Sequence, residues 1–383
     1  MKNTGNIEIG ADAVGFYARG TQTEALNAGN ITSSSDKAIG IYLEGSSIRN
    51  TGNITLSGDN SIGIAAARNS IVKNAGIITM NGNDSIGIYA NANSKVINES
   101  NGRILINGNE STGVQLSGGS VLENYGVIEV SSGTIGSTQV VEGSTSYTPP
   151  SIINAGVIKV DEKFDLNGMN IVIKSDPVSF RAPTIEEITA GGYSPSDIDA
   201  GFLLSNNVSI KAPSFDFGDT PIGIDSSFTQ GTNARVYKFE NVFDPLTPEG
   251  GPNSGEIAVK SGSLTFDAIP VVNDSGKIDV WMEKINYDNF TNGAWYDDFA
   301  RNIEGNYLNA TGGALELYDK LDLITDVNDL KSDFSQLSGS MYANITQREQ
   351  NIGEVFNNAL DILQNSENNT KENVKVNIIA GKG

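Results

Sequence analysis

The chain has 383 residues, 25 basic and 46 acidic side chains, a net charge of −21, no cysteine and no histidine. Such a charge repels a phosphate backbone and speaks against nucleic acid as a partner. The missing cysteine excludes disulfides and thiolate chemistry, and the missing histidine removes the commonest general base and transition-metal ligand.

The N-terminal stretch, MKNTGNIEIG, lacks the apolar centre of a signal peptide and opens inside a repeat unit. Met1 therefore reads as added to a piece of a longer chain. No apolar run approaches the length of a membrane-spanning helix. Residues 50–64, NTGNITLSGDNSIGI, return as NAGNITSSSDKAIGI from Asn27 and NAGIITMNGNDSIGI from Asn74. A shorter copy, NYGVIEVSSGTIG, follows from Asn124. The glycine of the NxGxI motif falls at Gly5, Gly29, Gly52, Gly76, Gly102, Gly126 and Gly156, at intervals of 23 to 30 residues. A second marker, as in SIGIY, keeps nearly the same period at Gly15, Gly40, Gly63, Gly87, Gly113 and Gly136. Two markers with one period make a structural repeat.

Within a unit the apolar spacing is two, as in Ile54 and Leu56 or Ile62 and Ile64, which is the strand period. Three short strands per unit of about 24 residues cannot bury a face alone. Stacked coil on coil, each rising by ~4.8 Å, they share one core. The expected fold is an all-β, right-handed parallel β-helix with a C-terminal cap and a helical linker.

Asn27, Asn50, Asn74, Asn98, Asn124 and Asn154 hold one position in successive units, so a ladder of stacked amides is expected at that corner. The glycine two residues on is expected to supply a positive-φ turn. Tyr17, Tyr42 and Tyr89 also share a position, interrupted by Ala65 and Gln115. Alternation points them outward beside inward Phe16, Ile41 and Ile88. Such a row could contact sugar or protein, or simply stack from coil to coil.

After about residue 160 the character changes. All 11 prolines lie between Pro149 and Pro270. Strand-like pieces such as NVSIKA and GKIDVWM alternate with long loops. Residues 1–160 read as regular coils, and 161–290 as an irregular continuation with a C-terminal, more aromatic cap. Helical spacing follows in Tyr318, Leu321, Ile324, Val327, Leu330 and Phe334, and again in Tyr342, Ile345, Ile352, Phe356, Ala359 and Leu363. Residues 291–370 are thus expected as a helical linker and 371–383 as the start of a strand.

The stretch FSQLSGSMYANITQREQNIGEVFNNALDIL resembles the segment preceding the β-barrel of type V autotransporters, where an LSG…Y turn leads into a helix entering the barrel pore. NIIAG would then open the first barrel strand. The GNIT…SIGIY coils and DVWMEKI resemble the large fusobacterial outer-membrane autotransporter adhesins. This resemblance implies a cell-surface passenger stalk whose C-terminal coils nucleate folding during secretion. It also implies anchoring at the bacterial outer membrane through the chain's own β-barrel, and a role in coaggregation or host-cell attachment through a protein or glycan receptor.

Because many β-helix proteins cleave polysaccharides, paired carboxylates deserve a test. The best cluster is Asp216, Asp219 and Asp225, which has no histidine and no basic partner close by in sequence; loop carboxylates on an acidic surface explain it, and no enzyme activity is expected. Oxygen-rich spacings at Asp165, Asn167 and Asn170, and at Asp326, Asn328, Asp329 and Asp333, lack the glycine and closing glutamate of an EF-hand loop. No metal and no cofactor are expected.

Overall fold

Residues 1–160 obey the two-residue alternation with little deviation. The computed structural model describes residues 1–20, 24–137, 148–165, 169–175, 177–190, 201–205, 208–218, 221–246, 257–339, 350 and 353–358. A representative coil has strands Ser47–Asn50, Asn53–Leu56 and Ile62–Ala67. Each strand pairs in parallel, and in register, with its counterparts one coil away. Val72 lies between Ile48 and Val96, Ile78 between Ile54 and Ile104, and Ile88 between Ile64 and Val114. Three parallel sheets follow: sheet A from Lys2–Asn3, sheet B from Asn6–Glu8 and sheet C from Val14–Arg19. The fold is a right-handed parallel β-helix. Its core is a column of aligned aliphatic side chains, with Ile48, Ile54, Ile64, Val72, Ile78 and Ile88 all fully or almost fully buried. Each such side chain contributes about 1.5–3 kcal/mol by leaving water.

The corner glycines act differently from the expectation. Gly29, Gly52 and Gly76 do not adopt positive φ; the left-handed residues are instead Lys37, Asn60, Asp84 and Glu110 at one bend, and Arg68–Asn69 and Ala92–Asn93 at another. What forbids a side chain at the motif glycines is proximity. A Cβ on Gly52 would stand 2.0 Å from the carbonyl oxygen of Gly29, and one on Gly76 2.1 Å from that of Gly52. The repeat needs glycine because successive coils touch there.

Among the described residues sheet C ends at Ser137, and a two-stranded pair, Phe164–Asp165 with Phe215–Asp216, follows. Sheet A continues through Asn170–Ile173, Ile222–Ile224 and Val259–Ser261, and sheet B through Ser209–Ala212 to the long strand Val236–Pro245. Then the pairing reverses. Ile278–Lys284 runs antiparallel to Val236–Pro245, and Phe266–Val272 runs antiparallel to Ile278–Lys284. Beneath this closure lies an edge-to-face aromatic cluster: the Phe228 ring is 4.8 Å from Tyr237 and 5.3 Å from Phe266, and Phe180 is 5.2 Å from both Tyr237 and Phe239.

The chain divides into two compact units: residues 1–285 with 306–325, and residues 286–305 with 326–383. Residues 306–325, inside the stretch expected as the 291–370 linker, group with the β-structure in one compact unit. The helical spacing from Tyr318 to Phe334 is also interrupted. Gly313–Leu321 and Val327–Leu337 are separate helices, because Asp322 is buried and hydrogen-bonded while Asp326 caps the second helix, accepting from Asn328 N (2.7 Å) and Asp329 N (3.3 Å). In the second unit Phe334 packs against Tyr287 (5.4 Å) and Phe299 (6.4 Å). Residues 353–358 are helical; the remainder of the expected second helix and the strand expected at 371–383 lie outside the described residues.

Candidate functional site

The corner asparagines form one chain of hydrogen bonds. Asn27 Nδ2 donates to Asn50 Oδ1 at 2.7 Å. Asn50 donates to Asn74, Asn74 to Asn98, Asn98 to Asn124 and Asn124 to Asn154, each at 2.9 Å. The ladder starts one coil before the first expected member, since Asn3 Nδ2 donates to Asn27 Oδ1 at 2.7 Å. It ends where Asn154 Nδ2 donates to Gly156 O at 3.2 Å. Buried amides joined this way fix the coil register and offer a ligand no open group.

Two further ladders escaped sequence reading. Ser61 N donates to Ser85 Oγ (3.1 Å) and Ser85 N to Ser111 Oγ (3.0 Å). Ser70 N donates to Ser94 Oγ (3.1 Å) and Ser94 N to Ser120 Oγ (3.2 Å). Their only signal is serine at a fixed unit position, which also suits an ordinary turn.

The tyrosine row is split. Tyr17 and Tyr42 stack with centroids 5.6 Å apart and planes 8° from parallel. The Tyr17 hydroxyl donates to Glu44 Oε2 at 3.1 Å, and Glu44 also pairs with Arg19 and Arg68. Desolvation and then the Glu44 carboxylate push the Tyr17 phenol above its ordinary pKa. Tyr89 stands apart with Ala65 and Gln115 as register neighbours, and its hydroxyl accepts from Asn91 Nδ2 at 3.2 Å. With Tyr17 45% exposed, this is the most open aromatic surface of the regular coils among the described residues.

The candidate carboxylates are separately engaged. Asp216 accepts from Lys163 Nζ at 2.5 Å and from Gly218 N at 3.3 Å; Asp225 caps the turn Ser226–Thr229 through Ser227 N at 2.9 Å. Asp219 and Asn167 lie outside the described residues. Among the described residues no three acidic side chains gather as a metal set.

One buried polar cluster was not anticipated. Lys284 and Asp322, 0% and 1% exposed, pair at 3.8 Å. Asp322 also accepts from Thr265 Oγ1 at 2.6 Å and from the Tyr307 hydroxyl at 2.7 Å. The cluster ties residues 306–325 to the antiparallel closure.

Comparison with protein families matches residues 1–177 to a model described as the BigA third pectate lyase-like domain, and residues 197–286 to one described as the BigA beta sandwich domain. The second match spans the region where parallel pairing gives way to antiparallel. Neither the curated proteins nor the solved structures contain a match to the chain.

Proposed function

The chain is a BigA-like autotransporter passenger region, and from that premise we propose that it is the membrane-proximal stalk of a surface-displayed adhesin. It acts through length and rigidity and carries out no catalysis. The observation behind this reading is the run of parallel ladders in sheets A and B that leads into an antiparallel, aromatic closure. Parallel coils leave an unpaired edge at each end, which invites non-native pairing. The strands Phe266–Val272 and Ile278–Lys284 close sheet B through contacts local in sequence. Local contacts form fast, whereas coil-to-coil pairing waits for a whole turn of chain. A chain emerging at the cell surface would thus fold its closure first and wind the earlier coils onto it. The implied partners are the passenger's own outer-membrane β-barrel and a host-cell or bacterial surface receptor.

Native-state hydrogen exchange along a denaturant ramp tests this. Amides of residues 201–285 and 306–325 should be the last to exchange, after those of residues 1–137. If the N-terminal coils outlast the closure, the folding-nucleus role fails. A second reading, direct attachment through the coils, draws on the exposed Tyr17–Tyr42 stack. Tyr17→Ala with Tyr42→Ala should then abolish saturable binding of the chain to partner cells, and unchanged binding would remove the stack from consideration.

A further inference from the structure

We propose that a cleft on the outer corner between sheets A and B binds a sugar that carries a carboxylate, of the hexuronic or sialic acid class. The cleft has a volume of about 510 Å³, within the range of small-ligand sites. Its floor is made by Tyr125 and Ala155, the residues directly after two ladder asparagines. Its walls come from Lys174 and Pro177, where the chain leaves sheet A after Ile173, and from Ser227 and Gln230 at the turn Ser226–Thr229.

Each part offers a complementary group. Lys174 makes no ion pair or side-chain hydrogen bond among the described residues, although the chain holds 46 carboxylate side chains. Two carboxylates near these walls are already committed: Glu99 to Arg49 at 2.6 Å, and Asp319 to Gly231 N at 2.9 Å. Ser227 lines the cleft, but its Oγ is turned away from solvent, so the residue shapes the wall and leaves the polar contacts to Lys174 and Gln230. Gln230 Nε2 is held by Thr229 Oγ1 (3.1 Å) and Asp319 O (2.9 Å), which fixes the amide and leaves Oε1 as an acceptor. The Tyr125 ring, Ala155 and Pro177 supply apolar surface for the C–H face of a pyranose. One cation, one amide oxygen and an aromatic face answer the carboxylate, a hydroxyl and the C–H face of an acidic sugar.

An extended peptide carboxylate fits less well. The backbone at this corner is consumed between coils, Tyr125 N donating to Asn98 O at 2.8 Å and Ala155 N to Asn124 O at 2.7 Å. No ladder remains there for an added strand. The site does not depend on the stalk reading, because its groups all lie within the first compact unit.

The test is saturation-transfer NMR and calorimetry on the whole chain with N-acetylneuraminic acid, galacturonic acid, galactose and acetate. At least one acidic sugar should bind saturably, with galactose and acetate weaker by about tenfold or more. Lys174→Ala should weaken that acidic sugar by about tenfold, and Tyr125→Ala should weaken it too, with the circular-dichroism spectrum and melting temperature unchanged. Which acid binds names the class. Binding of neither acid, equal binding of galactose or acetate, or full retention of binding by folded Lys174→Ala would each overturn the proposal.

Discussion

Asn74→Ala measures what the corner ladder is worth. Asn74 is fully buried. Its Oδ1 accepts from Asn50 Nδ2 at 2.9 Å, and its Nδ2 donates to Asn98 Oδ1 at 2.9 Å and to Gly76 O at 3.2 Å. Removing three bonds costs about 1 kcal/mol each, and the Asn98 carbonyl that loses its ladder donor adds about 1–3 kcal/mol. Asn50 is less affected, since its Nδ2 keeps Gly52 O at 3.2 Å. The expected loss is about 4–6 kcal/mol. Asn53→Ala is the control: its exposed amide makes a 3.3 Å bond to Asn30, and its loss should stay within about 0.5 kcal/mol. Guanidinium unfolding followed by far-ultraviolet circular dichroism gives the difference, with hydrogen exchange alongside because repeat arrays open in parts. Asn74→Asp sharpens the test. A buried carboxylate facing Asn98 Oδ1 has its folded pKa raised, so this variant should be most stable in acid and lose stability as pH rises above about 3.9. If Asn74→Ala costs no more than Asn53→Ala, the ladder is ornament and the column of isoleucines holds the coils alone.

Gly52→Ala places a Cβ 2.0 Å from the Gly29 carbonyl and should cost about 3 kcal/mol or more, whereas Gly10→Ala, with nothing within 4 Å, should leave the melting temperature unchanged; equal effects would contradict the close-approach account. Asp322→Ala strands a Lys284 that is 0% exposed and should destabilise by about 3–5 kcal/mol. Its faster exchange should centre on Phe266–Lys284, and a uniform change across all coils would argue against a local lock. Glu187, held by the Arg181 guanidinium and then by Thr184 N, is lowered from 4.5 to about 2. Its folded value lies below the unfolded one, so whatever stability the pair gives is present above about pH 4.5 and lost as pH falls toward 2. A carboxyl NMR titration centred near 4.5 would show the pair does not form.

The coils were legible because their signals are local and repeated: period-two apolar residues, and asparagine at one position of every unit. The reason for glycine was not legible, because positive φ and close approach select the same residue, and only the structure shows that a Cβ on Gly52 would stand 2.0 Å from the Gly29 carbonyl oxygen. Serine ladders stayed hidden since a serine beside a turn looks the same whether its hydroxyl meets water or the next coil's N–H. The aromatic closure joins Phe180, Phe228, Tyr237 and Phe266 from four separate segments, which no periodicity links. The corner cleft is likewise invisible in sequence, because Tyr125 and Ser227 meet only after an excursion from sheet A folds back.

The ladder's polarity explains why a closure is needed at one particular place. Every Nδ2 donates toward the C-terminal side, from Asn3 through Asn124, so the last amide must find an acceptor that is not another asparagine. Asn154 finds Gly156 O at 3.2 Å and Ser209 O at 3.4 Å, the second contributed by the sheet B strand of the following coil. At its register position in sheet A the next residue is Ile173, and after it Ile224. The corner therefore turns from polar to apolar within one coil. Among the described residues no amide stack sets the register beyond that point, and apolar packing takes over beneath the antiparallel strands. Substituting Ile173→Asn would extend the ladder past its terminus, toward a coil whose register partner is Ile224 and offers no acceptor. It should cost about 2–5 kcal/mol, as for a buried aliphatic side chain lost to a polar one, despite matching the motif. If Ile173→Asn is instead neutral, the ladder can grow freely and the closure is not what ends it.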